Sequence, residues 1–91
     1  MGLQGRYQCP CCDYYTLHSH GSHEICPVCY WQDDGQGMDR LDEVSGPNHI
    51  TLRQGRENFN AIGAADHAAR SLVVAASERA RIRREVRATY G

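Results

Sequence analysis

Five cysteines carry the chemistry that can be read in this chain, and four of them stand at the ends of two similar turns. The turns are Cys9-Pro10-Cys11-Cys12 and Cys26-Pro27-Val28-Cys29, separated by the stretch Asp13 to Ile25. A two-residue gap lets both thiolates of one tight turn reach the same ion. Proline after the first cysteine pre-sets φ for that turn and gives up an N–H the turn does not need. Two such turns supply four soft ligands at tetrahedral corners. Cys9, Cys12, Cys26 and Cys29 are therefore the candidate metal ligands. Zinc in a structural role is the expected ion, because nothing else in the chain suggests electron transfer. The same ligand set also suits iron, which the sequence leaves open. Disulfides would need an oxidising compartment and would leave one cysteine odd. A redox C-x-x-C pair would need a βαβ setting that is absent here.

The remaining side chains with chemical potential read more plainly. Cys11, inside the first turn, is either a spare thiol that fills space or a reactive thiol beside a dication. His18, His20 and His23 fall in or beside a turn and read as exposed residues. His49 and His67 stand alone and read as surface or satisfied residues. Four cysteines close the metal shell and leave no corner for water, so no catalytic residue and no enzyme activity are expected. Asp33-Asp34 and Asp42-Glu43 lack the spacing of a calcium loop. They belong to a polar, acidic loop over 32–43 that could meet a partner.

The elements that must position the cysteines follow from pattern. Tyr14-Tyr15-Thr16-Leu17 is aromatic and β-branched and predicts a strand. His18 to Ser22 predicts a turn, and His23-Glu24-Ile25 a returning strand, so that one hairpin would bring both cysteine turns to one end. Thr51 is a good N-cap, Gln54 completes a capping box, and Gly63 is a natural C-terminal cap. Leu52, Gly55, Phe59 and Ile62 share a face between them, so a helix is expected over 51–62. Gly55 in its middle suggests close approach to the cysteine turns. Residues 66–91 are rich in alanine and arginine. They predict an irregular piece over 66–76 and a helix from about Ser77 to Thr89, with Ile82, Val86 and Tyr90 on one face. A single long helix from Asp66 is the alternative. The fold class expected is a small α+β metal-stapled domain: a zinc-ribbon β-hairpin with two zinc knuckles, followed by one or two α-helices. Residues 1–65 form the ribbon-like domain and 66–91 a helical C-terminal segment.

Charge is unevenly spread. Residues 1–50 hold two arginines against seven acidic residues, and residues 51–91 eight arginines against four. The cysteine half is thus acidic and the tail basic. The opening residues lack the apolar core of a secretory signal, and no apolar run approaches membrane-spanning length. A cytoplasmic protein with reduced thiols and no membrane association is expected. At 91 residues the apolar core is modest, so a metal staple fits the size.

The run Tyr7-x-Cys9-Pro10-Cys11-Cys12, Tyr14, Thr16-Leu17 and Ile25-Cys26-Pro27-Val28-Cys29-Tyr30-Trp31-Gln32-Asp33-Asp34-Gly35 resembles the bacterial cysteine-rich CPCC domain. The resemblance continues through Gly46, Asn48, Thr51-Leu52, Arg56, Asn58-Phe59 and Gly63-Ala64, and covers about residues 7–65. It implies a small zinc-ribbon-like module and no established activity. Asp13 stands where that family usually has glycine, Gln32 where it has glutamate, and Gly55 where it has alanine. None of these is a ligand.

Three functions are weighed. The first is a protein-interaction module with a structural metal, regulatory or immunity-type, meeting a partner through Trp31, Asp33, Asp34 and Asp39. For Trp31 itself, packing between the ribbon and the 51–62 helix is the favoured role. The second is a nucleic-acid-binding zinc ribbon that uses Arg79, Arg81, Arg83, Arg84 and Arg87. The third, an enzyme or redox protein, has the least support. Self-association through the two opposite charges is a further expectation.

Overall fold

The computed structural model describes residues 5–87. It is a small α+β structure with a two-stranded antiparallel sheet, β1 (Tyr7–Gln8) and β2 (Tyr15–Leu17), and two helices, α1 (Leu52–Ile62) and α2 (Ala76–Arg79). Single 3-10 turns occur at Met38–Arg40 and His67–Ala69. No helix is long and apolar enough to cross a membrane among the described residues.

The strand predicted at 14–17 forms over Tyr15–Leu17, but its partner differs from the one expected. β2 pairs with β1, which precedes the first cysteine turn, in the register Tyr7 with Leu17 and Gln8 with Tyr15. The 23–25 segment instead runs antiparallel to 31–33 around the second turn. His23 N–H donates to Asp33 C=O, Asp33 N–H to Glu24 C=O and Cys26 N–H to Trp31 C=O. Each cysteine turn therefore closes its own short hairpin.

α1 is bounded by the two caps read from the sequence. The Thr51 hydroxyl accepts from Gln54 N–H at 3.0 Å, and Gly63 sits in the left-handed region at φ 78° with its N–H donating to Phe59 C=O. The capping box is only half formed, because the Gln54 amide turns to Asn58 Oδ1 rather than back to Thr51. Gly63 is the one residue type that takes this backbone without a Cβ penalty. Gly63→Ala should lower stability by about 1–2 kcal/mol, read as a lower urea midpoint. An unchanged midpoint would show that the cap does not need glycine.

The core lies between α1 and the two cysteine turns. Leu17, Val28, Trp31 and Leu52 are its largest fully buried apolar side chains. Gly55 permits the close approach expected of it: a Cβ there would lie 2.9 Å from Cζ3 of Trp31 and 3.4 Å from Cys11 Sγ. Cys11 is buried at this contact, which is the space-filling role.

The C-terminal segment departs most from expectation. The helix predicted from Ser77 begins at Ala76, with Ala75 rather than Ser77 as its cap, and ends at Arg79. Residues 83–87 are extended along β2 and the first cysteine turn. Tyr15 N–H donates to Arg83 C=O, Tyr14 and Arg84 form an antiparallel bridge, and Gln8 Nε2 donates to Glu85 C=O. Thr89 and Tyr90, the end of the predicted helix and of its apolar face, lie outside the described residues, while Val86 of that face is exposed and Ile82 packs on the core. Val74 and Ile82 pack against the same core as α1, so residues 66–87 share that core.

Candidate metal centre

Both cysteine turns have the same backbone. In each, the N–H after the second cysteine donates to the carbonyl of the first: Asp13 to Cys9 at 3.0 Å and Tyr30 to Cys26 at 2.7 Å. The first cysteine's N–H then donates to the residue that follows, Cys9 to Tyr14 and Cys26 to Trp31. Asp13 (φ 70°) and Tyr30 (φ 72°) occupy the left-handed region that lets the chain reverse. Asp13 tolerates this conformation better than most residues, while Tyr30 does not.

The two turns face one another and bring the four predicted ligands together. The Sγ atoms of Cys9, Cys12, Cys26 and Cys29 all lie within 4.8 Å of one another. Cys9 and Cys29 are 3.6 Å apart and Cys12 and Cys26 3.7 Å. Tetrahedral thiolates at the usual metal–sulfur length are about 3.8 Å apart, so this donor set fits one ion. All four residues are fully buried. Thr16 Oγ1 lies 3.1 Å from Cys26 Sγ and Trp31 N–H donates to Cys29 Sγ at 3.4 Å, which orients two of the sulfurs.

Burial is the largest single effect on the electrostatics of the four thiols. Burial, then neighbouring sulfurs, pushes the Cys9, Cys12 and Cys29 thiols well above the usual thiol range. Burial acts the same way on Cys26, but hydrogen bonds from Cys12, Cys29, Cys9 and Thr16 outweigh it and bring that thiol well below the range. Burial disfavours thiolate charge throughout the pocket. Ionising all four requires a cation in the middle, whose binding would release protons.

A second buried cluster supports the first turn and was missed from sequence. The Asp13 carboxylate accepts from Arg56 Nη1 and Nη2, both at 2.8 Å, and from Arg87 Nε at 2.8 Å and backbone N–H at 2.9 Å. Arg56 also donates to Pro10 C=O at 2.6 Å, and Arg87 to Cys9 C=O at 3.0 Å. Arg84 Nε donates to Cys12 C=O at 3.0 Å. One carboxylate thus joins the first cysteine turn, α1 and the C-terminal extension. The available signal was an arginine one position away from the apolar face of the helix.

The four residues singled out for partner contact are placed very differently. Trp31 is 0% exposed and lies in the core, and Asp33 is 2% exposed. Asp33 accepts from Gly21 N–H at 2.7 Å and Gly35 N–H at 3.2 Å, so it organises the loop from within. Neither side chain offers surface to a partner, which corrects that part of the expected contact patch. Asp34 is half-buried and holds Gln36 N–H and the Ser45 hydroxyl. Asp39 is exposed. Asp42 pairs with Arg53 and Glu43 with Arg40, so part of the acidic loop is neutralised locally. His18, His20 and His23 are exposed, as expected; His18 pairs with Glu24 and His20 lies against the Tyr7 ring.

The family model described as Cysteine-rich CPCC matches residues 7–80, most of the chain. The chain belongs to the cysteine-rich CPCC family. The match holds both cysteine turns and α1, and reaches beyond residue 65 to include α2. No curated protein and no solved structure matches the chain. In this CPCC protein the family's four-cysteine set is a possible metal site, buried on every side.

Proposed function

We propose that this protein is a small zinc-ribbon-like module whose four cysteines hold one structural Zn²⁺, and that it acts by binding another protein. The observation that carries this reading is the closed, fully buried four-sulfur shell. Four protein ligands leave no corner for a substrate or water, so in this reading the ion has a holding role and no chemistry takes place at it. The thiols fit a reducing cytoplasm. Any partner must meet the surface beside the metal. On the acidic side that surface is the exposed part of the loop around Asp39, with Asp34 shaping it from below.

The nucleic-acid reading has less support. Two of its arginines are neutralised within this chain, Arg87 by Asp13 and Arg83 by Glu85, and the cysteine half beside them is acidic.

Two measurements test the proposal. Elemental analysis of protein purified without added metal should give one zinc per chain, and stoichiometric iron would overturn the metal assignment. A partner obtained by affinity capture should bind Asp39→Lys about tenfold more weakly than the native chain. Equal affinity would remove the acidic loop from the contact.

A further inference from the structure

Of the basic half's arginines without a carboxylate partner among the described residues, three share one cleft and Arg81 lies outside it. Arg53 pairs with Asp42, Arg56 and Arg87 with Asp13, and Arg83 with Glu85. Arg70, Arg79 and Arg84 take no carboxylate partner among the described residues, and all three line a cleft of about 570 Å³ beside the C-terminal end of α1. No acidic residue lines it. Tyr14 and Phe59, meeting edge to face at 6.0 Å, line it together with Ile62 and Val73.

Arg79 and Arg84 are held rather than loose. The Arg79 and Arg84 guanidinium carbons lie 5.6 and 5.4 Å from the Phe59 ring centroid, and that of Arg84 is 5.0 Å from the centroid of Tyr14. Arg84 is also fixed by its bond to Cys12 C=O. Stacking on rings orients a guanidinium without consuming its charge, and leaves N–H groups to donate to an oxyanion. The carbonyl end of α1 offsets part of the positive potential, but carries only about half a charge.

We propose that this cleft binds an acidic peptide segment of a partner protein. Two ring-stacked guanidinium groups, with Arg70 beside them, match carboxylates spaced along a chain, and Ile62 and Val73 offer apolar contact for the aliphatic parts between them. Nucleic acid fits less well. Arg79 and Arg84 already lie over the Phe59 ring and Arg84 over Tyr14, so these rings make poor platforms for a base. The site stands on the opposite charge half from Asp39 and does not depend on the acidic-loop contact.

The test uses the full metal-loaded chain and a fluorescein-labelled peptide carrying several glutamates separated by leucines. Native protein should bind it saturably at low salt and more weakly as salt rises. Arg70→Glu combined with Arg79→Glu should weaken binding by about tenfold or more, with metal content and circular dichroism unchanged. Arg70→Ala with Arg79→Ala, should the reversal variant not fold, is expected to weaken it in the same direction. No saturable binding by native protein, or equal binding by the folded variant, would overturn the proposal. A single-stranded oligonucleotide that binds tighter than the peptide and loses affinity with the same substitutions would also overturn it, in favour of nucleic acid.

Discussion

Stripping the metal with a strong chelator should unfold the chain, and the single tryptophan should report it. Trp31 is the only tryptophan and is fully buried against α1 and the cysteine turns. Its emission should move to longer wavelength as water reaches the ring, and the near-ultraviolet circular dichroism should vanish. The magnitude follows from what holds the core. Fully buried large apolar side chains are few, chiefly Trp31, Leu17, Leu52 and Val28, and each contributes about 1.5–3 kcal/mol. Ordering a chain of this length costs far more. A structural four-thiolate ion contributes roughly 10 kcal/mol or more, comparable to the whole stability of a small domain. Cys9→Ser, Cys12→Ser, Cys26→Ser and Cys29→Ser should each reproduce the effect. Cys11→Ala should retain one metal per chain, because Cys11 fills space under Gly55 and is outside the four-sulfur cluster. A chelated protein with unshifted Trp31 emission would show that the ion is not structural.

The parts of this molecule that could be read in its sequence are those set by local chemistry. The four cysteines that cluster were legible in turn spacing, because the turn geometry brings each pair to one side. α1 is bounded by Thr51 and Gly63 because a hydroxyl that accepts an N–H and a residue without Cβ are local requirements. The parts that were not legible depend on distant partners. Residues 83–87 have good helix formers, yet their backbone meets β2 and their arginines meet carbonyls of Cys9 and Cys12. A helix there would withdraw those donors from buried acceptors, and tertiary bonding outweighs propensity. Asp33 was misread for a different reason. An acidic residue in a polar loop suggests solvent, but aspartate before glycine also accepts the N–H two residues on, and Asp33 bonds to Gly35 in this way while reaching Gly21 with its other oxygen.

Replacing Asp13 with asparagine should be the most damaging substitution away from the metal ligands, lowering stability by about 3–5 kcal/mol. Asparagine keeps the volume and tolerates the left-handed backbone at φ 70°. What it removes is the charge opposite Arg56, which is 5% exposed. A buried cation that loses its carboxylate retains its desolvation cost, and the carbonyls around Arg56 offset only part of it. Because Arg87 also bonds Asp13, the C-terminal extension should loosen in the same variant, seen as faster amide exchange at Tyr15, whose N–H donates to Arg83 C=O. The pH dependence separates charge from shape. Burial alone would raise the Asp13 carboxyl, but hydrogen bonds from Arg56 and Arg87 outweigh it and hold the group below the usual carboxylate range. A carboxyl depressed in the folded state contributes fully above its unfolded value of about 3.9 and loses that contribution as pH falls through the lower folded value. The stability gap between native protein and Asp13→Asn should therefore stay constant from pH 8 to pH 5, measured by urea midpoint on metal-loaded protein. A gap that narrows within that range would mean that Asp13 takes up a proton there, and that the arginine pair does not hold it ionised.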